Sequence, residues 1–307
     1  MIAFGTSIAE PDPYRRHAAP GIRRAAEPDS EIYAFAAVGP ISRTGNLLLD
    51  AAARRDDLEA LVLVDTHVEI VDPDFCRKVR HALSDPDVAI VGCAGAIGVR
   101  TIAWWEGRVS SALVVHRYGE HHGGELPGFS WSQPGPAPAE VDVVDGLLLV
   151  LSPWAVRNLR FDESLRNHGY DLDLCREARR AGRRVMTADL RVVHHRSLDL
   201  IGDIDLWVES HIHVAEKWNE DEADDDTWRR RARRAAAERE AARAVAYSNG
   251  LSWDARLAEL ERAMEAATAT TSWRVTAPLR RLNLLRARAA ERLRRRSASA
   301  WRMRPRR

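Results

Sequence analysis

The chain has 307 residues, 45% of them hydrophobic and 7% aromatic, with 46 Lys and Arg set against 45 Asp and Glu. That composition excludes a collagen, a disulfide scaffold and a wholly disordered chain, and suits one full domain with an appendage. The small net charge hides an asymmetry: residues 228–307 carry 22 Arg against seven acids, a net +15, while residues 1–227 carry 24 Lys and Arg against 38 acids, a net −14. No stretch reaches the roughly 18 to 20 apolar residues of a spanning helix, and Glu10-Pro11-Asp12 closes the first apolar run before any signal-peptide core forms. A cytoplasmic chain is therefore expected. Cys76, Cys93 and Cys175 are odd in number and form no CxxC pair, which fits buried thiols in a reducing compartment.

In chain order, short apolar runs bounded by turn residues read as strands at Ile2–Ile8, Glu31–Val38, Leu58–Val64, Val88–Cys93, Val141–Leu151 and Arg191–His195. Helical patterns lie between some of them, at Thr44–Arg55 and Pro73–Leu83, and another runs from about His168 to Ala181 with Gly182 as its stop signal. Alternating strands and helices predict an α/β sheet covered on both faces. In such sheets ligands gather beyond the carboxyl ends of the strands. The residues there are polar or metal-capable: Thr6, Ser7 and Glu10 after the first strand, Asp65-Thr66-His67 after the third, Asp145-Gly146 within the fifth run, and His194-His195 after the last. Asp171 and Asp173 open the helix that begins near residue 168, where an acid also serves as an ordinary cap.

Four segments occur in a telling order: Leu61–Ile70 with Asp65-Thr66-His67; Val144–Val150 leading to Arg160-Phe161-Asp162-Glu163; Gly169-Tyr170-Asp171-Leu172-Asp173-Leu174-Cys175; and Val192-Val193-His194-His195. Together they resemble family 2 glycosyltransferases of the GT-A fold, and more narrowly the bacterial glycosyltransferase-like group linked by name to streptomycin biosynthesis. The resemblance covers roughly residues 1–215. It implies a nucleotide-diphospho-sugar transferase fold, a mixed, mostly parallel sheet flanked by helices, here with a C-terminal helical and basic extension. It also implies an inverting glycosyltransferase of the hexosyltransferase class (EC 2.4). Such an enzyme carries a sugar from a nucleotide-sugar donor to a hydroxyl of a saccharide, a lipid-linked acceptor or a small molecule.

That chemistry needs a divalent cation, Mn2+ or Mg2+, to neutralise the departing diphosphate, and a base to take the acceptor's proton. By the resemblance, the metal position is Asp65 and His67, helped by His194 or His195, and Asp171 is the base. Thr6, Ser7, Glu10, Asn46, Asp65 and Asp145 fall where the donor nucleotide is held. Trp104, Trp105 and Asp173 fall on the acceptor side, although two adjacent indoles point in different directions and at most one touches substrate. His67 departs from the family pattern, which places Asp there; imidazole suits manganese or zinc better than magnesium. The rival outcome is a catalytically degenerate domain that acts as a binding or assembly module. A nucleotidyltransferase is disfavoured, because Gly5-Thr6-Ser7-Ile8-Ala9-Glu10-Pro11 lacks a glycine-rich loop with Lys or Arg. The Pro127–Pro138 segment, with four prolines and two glycines, reads as a loop that could serve as a mobile lid.

The boundaries fall at 1–218 for the catalytic domain, 219–227 for an acidic linker, 228–271 for a helical extension and 272–307 for a basic tail. The extension is expected to be two helices broken at Asn249-Gly250, the second with Trp253, Leu257, Leu260, Met264 and Ala267 as a short coiled-coil seam, offering either an oligomer contact or a face for the body. The tail holds 13 Arg against Glu291 alone over residues 274–307, with Leu, Trp and Met interspersed. That pattern suits an anionic membrane surface, nucleic acid being disfavoured by the acidic body; a solvated tail is the competing expectation.

Overall fold

The computed structural model describes residues 1–111, 114–116, 129–130, 138–195, 203–218, 227–270 and 276. Within it, β1 (Ile2–Ile8) leads into a helical segment made of α1 (Pro11–Pro13), a π-helical turn (Tyr14–Ala18) and α2 (Ala19–Ala25). Then come β2 (Glu31–Ala36), α3 (Ile41–Ala52), β3 (Ala60–Val64), β4 (Val68–Ile70), α4 (Phe75–Ala82), β5 (Val88–Gly92) and β6 (Ala94–Ile97). A 3-10 turn (Trp104–Glu106) precedes β7 (Arg108–Ser111), β8 (Val114–His116), β9 (Phe129–Ser130), β10 (Ala139–Glu140), β11 (Val143–Val144) and β12 (Leu148–Leu151). The remainder is α5 (Pro153–Asn158), α6 (Tyr170–Arg180), β13 (Arg184–Thr187), β14 (Val192–His194), α7 (Ile204–Trp218) and α8 (Thr227–Ala269).

The large sheet has the order β10-β13-β5-β12-β3-β1-β2. Parallel pairing joins β1 to β2 and β3, and β13 to β5, while β12 runs antiparallel to both of its neighbours and β10 antiparallel to β13. Five strands therefore point one way, the mixed and mostly parallel α/β sheet expected from the sequence. Every residue of β3 and β5 is buried, because helices cover both faces. The carboxyl ends of β1 and β3 and the start of β12 meet at one edge, where the candidate residues lie. Two small sheets complete the frame at this edge, β11-β6-β7 and β4-β14-β8-β9.

Two local expectations need correcting. The run Val141–Leu151 is two strands rather than one: Val143–Val144 pairs with β6, Leu148–Leu151 pairs with β3 and β5, and the polar Asp145-Gly146 step makes the crossing between sheets. The break expected at Asn249-Gly250 is absent, since α8 runs unbroken for 43 residues. One glycine in a helix interior costs only about 1 kcal/mol, which long flanks of good helix formers absorb.

The chain divides into a unit of Met1–Trp253 and a second of Asp254–Arg307. In the first, α8 contributes a buried stripe, Ala237, Glu240, Ala241 and Ala244, at spacings that recur on one helix face. Glu240 is 7% exposed; it accepts a hydrogen bond from the Thr101 hydroxyl and lies 2.9 Å from His211 Nε2. In the second, Leu257, Leu260 and Met264 are 57%, 53% and 63% exposed. Cys76, Cys93 and Cys175 are free and buried. Among the described residues no helix is long and apolar enough to cross a membrane. The loop expected at Pro127–Pro138 lies outside the described residues except at 129–130 and 138, and so does the basic tail except at 276.

Candidate active site

The turn after β3 is built around one carboxylate. Asp65 donates its backbone N–H to Leu147 O at 3.1 Å, and its Oδ1 accepts the backbone N–H of His67 at 2.8 Å, with His67 Nδ1 3.2 Å from the same oxygen. An Asp two residues before the N–H it captures makes an Asx turn, which is why a short acid is suited to this position. Burial works to raise the Asp65 carboxyl, but the His67 hydrogen bond and the charge of His194 outweigh it and hold the group at about 2. Asp65 is thus an ionised carboxylate with an imidazole beside it.

Opposite this turn, two further carboxylates converge. Asp145 sits in the crossover before β12, with Oδ1 accepting the Leu147 N–H at 3.0 Å. Burial, joined by the charges of Asp171 and Asp65, pushes its carboxyl up to about 7. Asp171 lies in the first turn of α6. Its Oδ2 accepts the Gly146 N–H at 3.0 Å and its Oδ1 the Leu172 N–H at 2.9 Å, so the side chain is fixed while each oxygen keeps a lone pair. Burial raises this carboxyl too, against those two bonds. Gly169 supplies the left-handed residue (φ 77°) that lets the chain enter α6 at this point.

Other candidates separate. Ser7 lines a pocket with Gly5, Gly45, Asp65, Gly146 and Tyr170, whereas Thr6 points to the opposite face of β1. That face is the one on which Phe4 packs against Phe75 of α4; Thr6 is 2% exposed and its hydroxyl has no hydrogen-bond partner among the described residues. Glu10 is exposed at the start of α1. The Asn46 amide donates to Phe161 O at 3.0 Å and accepts from Phe161 N at 2.9 Å, which ties the 161–163 loop to α3 and leaves little for a ligand. Trp104 is 4% exposed and belongs to the core, while Trp105 is half-buried against Trp207, with ring centroids 5.4 Å apart. The Asp173 carboxylate is fully buried and accepts from Lys217 Nζ at 2.9 Å and Trp218 Nε1 at 2.8 Å. It clamps α7 onto α6.

His195 leans on the Asp65–His67 turn: its backbone N–H donates to His67 O at 2.8 Å, while its Nε2 lies 2.9 Å from Glu69 Oε2. Among the described residues no three His, Cys, Asp or Glu side chains converge as a metal cage. Asp65 and His67 alone offer an ionised oxygen and an imidazole nitrogen on one turn, a donor set that fits a borderline divalent cation completed by ligands from substrate. Sequence reasoning missed His17, whose ring stacks on His195, and Glu240.

A model of the glycosyltransferase-like family matches residues 42–221, more than half of the chain. The chain belongs to this family, and it is a transferase of the glycosyltransferase kind. A comparison with curated proteins finds no match. Among solved structures, the mannosyltransferase PcManGT from Pyrobaculum calidifontis, in complex with GDP-Man and Mn2+, is 14% identical; the match covers 89% of this chain and 81% of that one, with a TM-score of 0.43. A197 from STIV is 14% identical over 63% of this chain and 84% of its own, with a TM-score of 0.40. A glycosyltransferase involved in glycosylation of the major capsid of PBCV-1 is 12% identical over 63% and 93%, with a TM-score of 0.34.

Proposed function

We propose that the chain is an inverting, metal-dependent hexosyltransferase that moves a sugar from a nucleotide-sugar donor to a hydroxyl of a saccharide, lipid-linked or small-molecule acceptor. The observation that carries this reading is the Asp171 carboxylate, fixed by two backbone N–H groups at the head of α6, on the same sheet edge as the Asp65–His67 turn. In the proposed step a bond forms between the acceptor oxygen and the anomeric carbon as the bond from that carbon to the diphosphate oxygen breaks. The acceptor's proton passes to Asp171, whose raised carboxyl makes it a stronger base than a surface aspartate. Asp65 and His67 would hold the divalent cation, Mn2+ or Mg2+, which when bound supplies Lewis-acid neutralisation of the leaving diphosphate. Ser7 and the pocket beside it accept part of the nucleotide, and Asp145 faces the sugar.

The finer placement within the group linked by name to streptomycin biosynthesis belongs to the same proposal, as do the partners. Exposed Leu257, Leu260 and Met264 support an oligomer contact through residues 252–271, and the charge of residues 272–307 supports an anionic membrane surface at the cytoplasmic face. A panel of nucleotide sugars, with and without Mn2+, tests the enzymatic reading by calorimetry and by anomeric NMR of the transfer or hydrolysis product. Binding of one donor with a product of inverted configuration is expected. A panel that shows no binding and no turnover would reject it, and retained configuration would reject the single-step mechanism.

A further inference from the structure

The helical segment after β1 delivers a histidine that the proposed mechanism has not used. His17, Gly21 and Arg24 recur at spacings of four and three, so they share one face of this segment. Gly21 lets that face lie directly on β4, because a Cβ there would come within 2.5 Å of Ile70 N. Arg24 rivets the contact, with Nη1 donating to Ile70 O at 2.9 Å and Nη2 to Glu69 Oε1 at 3.2 Å. The π-helical turn Tyr14–Ala18 precedes this anchor, and it carries His17 over His195 with ring centroids 3.9 Å apart and planes 11° from parallel.

His195 is thereby held on three sides. His17 covers one face of its ring, Glu69 Oε2 lies 2.9 Å from its Nε2, and its backbone N–H is bonded to His67 O. Among the described residues no hydrogen bond engages the His17 ring, so stacking is its observed contact. Burial, followed by the nearby charge of His195, lowers the His17 imidazole to about 4, and a neutral ring can lie on His195 without repulsion.

We propose that His17 is a positioning residue of the donor site: its ring holds His195 against the Asp65–Thr66–His67 turn, so that the diphosphate of a nucleotide sugar meets an imidazole of fixed orientation. The inference rests on the glycosyltransferase reading and goes beyond it, because it assigns a role to the N-terminal helical segment that no spacing in the sequence suggests. The advantage is preorganisation: a side chain ordered before binding does not have to be ordered by the ligand.

The test compares His17→Ala, which removes the ring, with His17→Phe, which keeps a stacking face and removes the nitrogens. GDP and UDP, each with Mn2+, are the calorimetric probes, and the ring nitrogens of His195 are followed by NMR without ligand. His17→Ala is expected to weaken the nucleoside diphosphate that binds by about 3- to 10-fold, the scale of freeing one side chain, and to broaden the His195 ring signals as that ring gains freedom. His17→Phe should bind within about 2-fold of the unaltered protein and keep the His195 ring signals sharp. Should His17→Ala fail to fold, the near-native affinity expected of His17→Phe remains a test by itself. Unchanged binding in His17→Ala, or His17→Phe as weak as His17→Ala with native melting, would overturn the positioning role alone. If the unaltered protein binds neither diphosphate, this role falls together with the donor site it serves.

Discussion

Asp145→Asn tests the electrostatics of the site without any need to know its substrate. In the folded chain the Asp145 carboxyl is pushed from an ordinary 3.8 to about 7, first by burial and then by the charge of Asp171, with the Leu147 N–H opposing and Asp65 adding to the rise. Between about pH 4 and pH 7 the native state therefore holds a proton that the unfolded chain has released. Native protein binds more protons there, so stability falls as pH rises through this window and levels off above it. At about 1.4 kcal/mol per pH unit the whole interval corresponds to about 4 kcal/mol, and partial access of water to the carboxylate reduces it to about 2 kcal/mol. Asparagine keeps an Oδ1 for the Leu147 N–H and removes the charge. Asp145→Asn should accordingly be about 2 kcal/mol more stable than the unaltered chain at pH 8, a rise of about 4–8 °C in Tm, and nearly equal to it at pH 4. Thermal unfolding of both proteins from pH 4 to pH 9 gives the answer. An Asn variant no more stable at pH 8, or one with the same gain at both ends, would refute the argument that burial of the carboxylate, with the charge of Asp171 beside it, sets this cost.

Asp171→Asn should lower turnover by about 10²-fold or more with nucleotide affinity nearly unchanged, as measured by steady-state kinetics and calorimetry on the donor that binds. Asp173→Ala should destabilise the fold by about 2 kcal/mol in denaturant titration, since it leaves the Trp218 indole N–H without its acceptor while Lys217 keeps Asp162, whereas Asp173→Asn, which still accepts from Trp218, should lose less. A chain ending at Trp253 should melt like the full protein, while one ending at residue 226 should be destabilised and self-associate in sedimentation, because it uncovers the surface packed by Ala237, Ala241 and Ala244. Anionic vesicles should sediment the full chain at low salt but not the chain ending at Trp253; equal sedimentation of both would remove the tail from membrane binding.

What the sequence made legible is what depends on local pattern. Ala60–Val64 is a continuous apolar run and Ile2–Ile8 opens on one, and the turn after each follows from the residue types that end them. Asp65 and His67 could be found because they sit two apart after such a strand. His17 could not, because a single histidine in Tyr-Arg-Arg-His-Ala has no periodic partner, and His195 reaches it only through folding. Thr6 and Ser7 are adjacent in sequence, and the two-residue period of a strand puts them on opposite faces, so a pair read together serves two environments. Glu240 was hidden for another reason: in an Arg/Ala/Glu helix every acid resembles a surface partner for an arginine one turn away. Burial beside Thr101 and His211 makes this one different.

The arrangement of charge along the sheet edge gives the proposed reaction a direction. His67 and His194 are near enough to Asp65 to lower its carboxyl, with His17 and His195 stacked beside His67, whereas Asp145 feels the charges of Asp171 and Asp65, which raise its own carboxyl. In the proposed transfer, negative charge accumulates on the leaving diphosphate, while positive charge develops at the anomeric carbon and a proton must leave the acceptor oxygen. Imidazoles and a cation held by Asp65 and His67 suit the first; carboxylates of raised basicity suit the second and third. A donor bound with its diphosphate toward the histidines would thus place its anomeric carbon before Asp171. The reverse orientation would set diphosphate against two carboxylates and leave the developing positive charge facing the histidines. The same charge that makes Asp145 costly to the fold is on this argument useful to the reaction, which is why the stabilised Asp145→Asn protein should also be the poorer catalyst.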